Sequence, residues 1–268
     1  MKIGQTLLAL VTGTALCQAQ DSSTDTPTLP NPDALHLFLL IGQSNMAGRG
    51  ELDPAQTIDN SRILVLDAEG HWQPAAEPLH FDKPKIAGAG LAMSFARSYA
   101  DTHPHVTVGL IPCAVGGTPL SRWQRDGDLY AMALQRARLA KGSGTLVAAL
   151  WHQGESDASS PTTTASYGQR LQQMIAHLRQ DLESPALYFI AGHLSHFATD
   201  PEKQSRHDQI NDQIDAAAKS MPHMAVAPSD GLGHKGDDVH FDAASLRKFG
   251  TRYADALQAL ISQKVADE

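Results

Sequence analysis

From Leu35 onward the sequence alternates short, nearly continuous apolar runs with longer amphipathic stretches, and this alternation limits the fold more than any other feature. Runs such as HLFLLI and TLVAALW have no polar face, so strands built from them must be covered on both sides. The pattern predicts strands at 35–41, 63–66, 106–111, 146–151, 187–191 and 224–227, and helices near 90–101, 128–141, 164–182, 203–220 and 242–264. In the last helix Leu246, Phe249, Tyr253, Leu257 and Leu260 form a stripe suited to core packing, with Asp242 as its N-cap. Strand–helix alternation implies a parallel sheet between helical layers, with ligands at the carboxyl ends of the strands.

Composition narrows the partners. Of 268 residues, 42% are hydrophobic and 19% charged, enough apolar material for one large α/β domain. The formal net charge is −8, which argues against nucleic acid or an anionic membrane as the main partner. No apolar run approaches the roughly 18 residues of a membrane span. Two cysteines, Cys17 and Cys113, exclude a disulfide scaffold and a cysteine-rich zinc fold.

Residues 1–19 have the make-up of a secretory signal: Lys2, an apolar stretch over 3–17, and small Ala19 for cleavage. The expected location is therefore periplasmic or extracellular. Bulky Leu16 argues against a lipid anchor at Cys17. Residues 20–33 are polar and turn-rich and read as a flexible linker, leaving 34–268 as the folded domain.

Four segments stand where apolar runs end, and each has a bland and a chemical reading. In LHLFLLIGQSNMAGRG, Ser44 follows the first strand in a small-residue turn; it either caps a helix or presents a hydroxyl beside converging N–H groups. The hydrolase elbow G-x-S-x-G is absent. In VGLIPCAVGGTPLSRW, Gly116 and Gly117 make a tight turn or let backbone approach a ligand, while Arg122 and Trp123 either form a pocket wall, with Trp123 as a sugar-stacking platform, or make a surface salt bridge and a packed ring. In LVAALWHQGESDAS, His152, Gln153, Glu155 and Asp157 crowd one loop, and the Gln153 amide suits a neutral oxyanion donor. In GHKGDDVHFDAAS, Asp237 stands three residues before His240, a spacing that lets a carboxylate hold imidazole Nδ1–H while Nε2 acts as a base.

Two other patterns carry less. Gly231, Gly233 and Gly236 match G-x-G-x-x-G, but Asp237 and Asp238 follow where a pyrophosphate would need a helix N-terminus. Among 13 histidines, neither His103 with His105 nor His193 with His196 fits the H-E-x-x-H zinc signature.

Taken in order, GQSNM, PCAVGGT, WHQGESD and DDVH strongly resemble the sialate O-acetylesterase-like branch of the SGNH hydrolases, which includes the acetylxylan esterases of carbohydrate esterase family 6. The resemblance covers about 35–262. It implies a flavodoxin-like three-layer α/β/α sandwich with a five-stranded parallel core sheet, and a cofactor- and metal-free serine esterase that releases acetate from acetylated carbohydrate, acetylxylan foremost. By position it implies Ser44 as nucleophile, His240 as base, and Asp237 or Glu155 as the acid partner of that histidine. The oxyanion hole would be Ser44, Gly116 or Gly117 (Gly117 favoured), and Gln153. A sialic acid substrate would need basic groups, for which Arg49 and Arg122 are the candidates. The competing readings are a non-catalytic carbohydrate-binding module and a metal-dependent hydrolase built on the histidines.

Overall fold

The computed structural model describes residues 27–267. The expected signal segment, and the linker up to residue 26, lie outside them. At the end of the expected linker, Leu29 packs against the core, and the Asn31 side chain caps a 3-10 turn at Pro32–Ala34.

The chain then runs β1 (Leu35–Gly42), α1 (Ser44–Ala47), β2 (Ile63–Leu66), β3 (Trp72–Pro74), α2 (Ala92–Thr102), β4 (Thr107–Pro112), α3 (Asp128–Lys141), β5 (Thr145–His152), α4 (Pro161–Ala165), α5 (Tyr167–Asp181), β6 (Tyr188–Gly192), α6 (Pro201–Ser220), β7 (Met224–Ala227) and α7 (Ala243–Asp267). All six strands expected from apolar runs are present. The expected helix at 164–182 is divided at Ser166, where the backbone leaves helical geometry at φ −96° and ψ 1°.

The sheet has the order β3-β2-β4-β1-β5-β6-β7. The expected five-stranded core is thus corrected to seven strands, of which β2, β4, β1, β5, β6 and β7 run parallel and β3 antiparallel. β3 returns from β2 through a turn in which the Asp67 side chain accepts the His71 N–H. Only Trp72 of its three residues is buried, so no apolar run announces it.

Side chains alternate across the pleat and divide the core in two. Leu35, Leu37, Leu39 and Ile41 face α3, α5 and α6, whereas Phe38 and Leu40 face α2 and α7. Leu246, Phe249, Tyr253 and Leu257 of α7 are buried in that second layer, as their spacing implies. The result is a three-layer α/β/α sandwich. β1 lies at its centre, between β4 and β5; the chain leaves β1 toward the β3 edge and leaves the neighbouring β5 toward the β7 edge. Crevices in open α/β sheets form at such reversals, at the carboxyl ends of the strands.

Candidate active site

Gly42 ends β1 with φ +124°, and a Cβ there would lie 2.1 Å from the His152 carbonyl oxygen. Only glycine fits so close to β5. Its neighbours lock the turn: Gln43 N–H donates to the His152 carbonyl at 2.8 Å, and Val115 N–H donates to the Gly42 carbonyl at 3.0 Å. The strand ends of β1, β4 and β5 are thereby fastened together. Ser44 begins the single turn α1, so its own N–H has no acceptor within that helix. Ser44 is 6% exposed and lines a cavity of about 320 Å³ together with Gly116, Gly117, Glu155 and His240.

His240 reaches this cavity on the loop between β7 and α7. Its Nδ1 lies 2.7 Å from Asp237 Oδ2, while Asp237 Oδ1 accepts the backbone N–H groups of Val239 and His240. Burial alone would raise the Asp237 pKa. Hydrogen bonds from the His240 backbone and ring and from the Val239 N–H outweigh it and bring the carboxyl down to about 2.

Glu155 has different partners. Asn45 Nδ2 donates to its Oε1 at 2.6 Å, and His152 Nε2 stands 3.3 Å from the same oxygen. Burial pushes this carboxyl upward too, but hydrogen bonding and charge from His152, its own N–H and the charge of His207 bring it to about 2. Asn45 also donates to the Val239 carbonyl at 3.2 Å and accepts the Phe241 N–H at 3.2 Å. One buried amide therefore joins the Ser44 turn to the His240 loop.

On the opposite wall Gly116 packs against Ser44: a Cβ on it would lie 2.6 Å from Arg49 Nη2 and 3.4 Å from Ser44 Cβ. Its N–H donates to Asp82 Oδ2 at 2.8 Å, the oxygen that also accepts Arg49 at 2.7 Å. Gly117, with φ +76°, is exposed at the cavity. Lys83 donates to the Gly116 carbonyl at 2.9 Å and lines the cavity, as does Lys203 at the start of α6.

The structure sorts the remaining expected residues. The Gly116 N–H is committed to Asp82, which leaves Gly117 as the glycine of that turn on the cavity side. Gln153 is fully buried, with its amide donating to Asp157 Oδ2 at 2.7 Å and the Thr118 carbonyl at 3.0 Å. Trp123 is 1% exposed, edge-on to Trp151 and bonded to Thr118, so it has no face for a sugar. Arg122 pairs with Asp128 on the surface, away from the cavity, whereas Arg49 does line the cavity, as a buried partner of Asp82.

The sequence reading missed Gln43, Asn45, Asp82, Lys83 and Lys203. Gln43 and Asn45 flank Ser44 inside the GQSNM segment already singled out, a signal that was legible; Asp82 and Lys83 come from a loop and Lys203 from the first turn of α6, none within a motif. The histidines of the zinc question pair separately, His193 with Asp215 and His196 with Asp208. Among the described residues no group of three or more His, Cys, Asp or Glu side chains could hold a metal ion.

A family described as carbohydrate esterase, sialic acid-specific acetylesterase, matches residues 34–259. A probable carbohydrate esterase of Arabidopsis thaliana is 37% identical over 186 residues, which span 62% of this chain and 72% of that protein. An X-ray structure of an Arabidopsis thaliana protein superposes with a TM-score of 0.76 at 31% identity, covering 86% of this chain and 99% of that one. The crystal structure of NanS superposes at 0.73 with 17% identity, over 88% of this chain and 100% of that one, a likeness of fold.

Proposed function

The chain belongs to the carbohydrate esterase family of sialic acid-specific acetylesterases, and from that membership we propose that it releases acetate from O-acetylated sugars by a serine-dependent acyl transfer. The observation that carries the reading is the single cavity lined by Ser44 and His240, with His240 Nδ1 held 2.7 Å from an ionised Asp237.

The chemistry follows from that placement. His240 Nε2 takes the proton of the Ser44 hydroxyl as Oγ attacks the acetyl carbonyl, whose π electrons move onto its oxygen. Asp237 keeps the ring oriented and stabilises the imidazolium. When the tetrahedral intermediate collapses, the sugar oxygen leaves and takes the proton from His240. Water then attacks the acetyl-serine by the same route, giving acetate and free Ser44.

The sugar is read from the cavity wall. Lys83 and Lys203 line it, and among the described residues neither forms a salt bridge. Two ammonium groups in the wall of the cavity that holds Ser44, in a chain with net charge −8, favour an acidic sugar, sialic acid included, over the neutral acetylxylan expected from sequence. The reading also takes in export through residues 1–19, with 34–268 as the mature esterase domain.

Purified protein offered O-acetylated sialic acid, pectin and xylan should release acetate faster from the acidic substrates. Ser44→Ala should lower kcat by on the order of a million-fold while melting like the parent. Full hydrolysis of 4-nitrophenyl acetate by the folded Ser44→Ala protein would remove the serine mechanism.

A further inference from the structure

Resting on the serine-esterase reading, we infer that the side-chain donor to the tetrahedral oxyanion is Gln43, and that Gln153 is the residue that positions it. Gln153 was the expected donor, and the geometry places its amide elsewhere. Its two N–H groups face three acceptors: Asp157 Oδ2 at 2.7 Å, the Thr118 carbonyl at 3.0 Å and Gln43 Oε1 at 3.3 Å. To reach a substrate it would have to leave a buried carboxylate. Asp157 cannot follow, because it is 0% exposed and held by the Leu120 N–H at 2.7 Å and by Arg170 at 2.8 Å.

Gln43 has the opposite geometry. It immediately precedes Ser44 and lines the same cavity. Its Oε1 is turned inward, where it accepts from Gln153 Nε2 at 3.3 Å and from the Ser156 N–H at 3.4 Å. Turning the amide over would set an NH2 group against two donors, so this orientation is determined by its neighbours. The Nε2 end is the one left over for the cavity that Gln43 lines, and it has no hydrogen-bond acceptor among the described residues. A preorganised neutral donor of this kind stabilises charge that develops only in the transition state.

The supporting chain is Asp157 to Gln153 to Gln43. The Asp157 charge draws one Gln153 N–H, and the other is shared between Thr118 and Gln43, so each amide is oriented by the one behind it. With the Gly116 N–H committed to Asp82, a side-chain donor beside Ser44 adds to the one N–H, that of Gly117, which the turn keeps on the cavity side. During reaction the carbonyl electron pair moves onto oxygen as the Ser44 Oγ–C bond forms. Gln43 donates to that oxygen, and the pair returns when the sugar C–O bond breaks; no proton is transferred to or from the amide.

Steady-state kinetics on 4-nitrophenyl acetate, with thermal melts, test both roles. Gln43→Ala should lower kcat by about a hundred- to a thousand-fold, leave KM within about twofold, and stay folded at the assay temperature although its melting point falls. Gln43→Glu keeps the size and the inward oxygen but replaces the donor with an anion, and should lose at least as much. A boronic acid that forms a tetrahedral adduct on Ser44 should weaken in parallel with kcat/KM. Gln153→Met should lower kcat in the parent but add little in the Gln43→Ala background, a non-additivity that a purely structural role would not produce.

Folded Gln43→Ala or Gln43→Glu with parental kcat, beside an inactive Ser44→Ala, overturns the inference and leaves the serine reading standing. An active Ser44→Ala overturns both. A Gln153→Met effect that persists in full without Gln43 overturns the positioning role.

Discussion

Asp237, which holds His240, and Glu155, in the cavity wall, are both carboxylates lowered to about 2, yet they meet different partners and should fail differently. Asp237 touches His240, so Asp237→Asn should lower kcat by on the order of a thousand- to ten-thousand-fold with little change in melting temperature. Glu155 touches Asn45 and His152, both buried, so Glu155→Gln should act mainly on stability and keep kcat within about tenfold. The sign follows from its lowered pKa. The folded state holds the ionised form, so the stabilisation is complete above about 4.5 and is lost as pH falls toward 2. A shift of that size corresponds to about 3 kcal/mol. The melting gap between parent and Glu155→Gln should therefore be widest near neutral pH and close below about pH 3. A larger kcat loss in Glu155→Gln than in Asp237→Asn would transfer the orienting role to Glu155.

Among the elements, α1 is too short to be stable alone and persists through what it joins. Asn45 connects it to Glu155 after β5 and to Val239 and Phe241 before α7, segments 110 to 196 residues away. Asn45→Ala leaves a buried carboxylate oxygen, a carbonyl and an N–H short of a partner, each worth about 1–3 kcal/mol. A destabilisation of roughly 2–4 kcal/mol is expected once the site relaxes, together with a fall in kcat as His240 loses its register against Ser44. Chemical denaturation and kinetics on the same preparation measure both; unchanged kcat in a destabilised but folded variant would confine Asn45 to stability.

Over the whole molecule, the response to acid should be governed in part by His80. It is 4% exposed, its Nε2 has no partner, and burial lowers its pKa to about 4, with Asp82 opposing the shift and Arg49 adding to it. An unfolded chain binds that proton near pH 6.5, so stability is complete above 6.5 and declines as pH falls toward 4. The span corresponds to about 3 kcal/mol. Melting temperature followed from pH 7 to pH 4 should fall less steeply in His80→Gln than in the parent. Parallel curves would assign the acid sensitivity to other groups.

Much of this molecule is determined by local pattern. Burial on two faces requires continuous apolar runs, and those runs mark all six parallel strands; α7 carries its core stripe at helical spacing. Ser44, His240, Glu155 and the glycine turn lie at strand ends or in the loop before α7, so the parallel sheet brings them together at the carboxyl ends of its strands. The tertiary structure decided what individual atoms do there. An amide offers a donor and an acceptor in opposite directions, and its neighbours choose which one faces a cavity. For Gln153 those neighbours include Asp157 and Thr118; for Gln43 they include Gln153 and Ser156, 110 and 113 residues away. The spacing of Arg122 and Trp123 likewise could not say that one would pair with Asp128 at the surface and the other pack beneath Trp151. Periodicity reports which side of an element is buried, whereas hydrogen-bond direction depends on groups that only folding brings together.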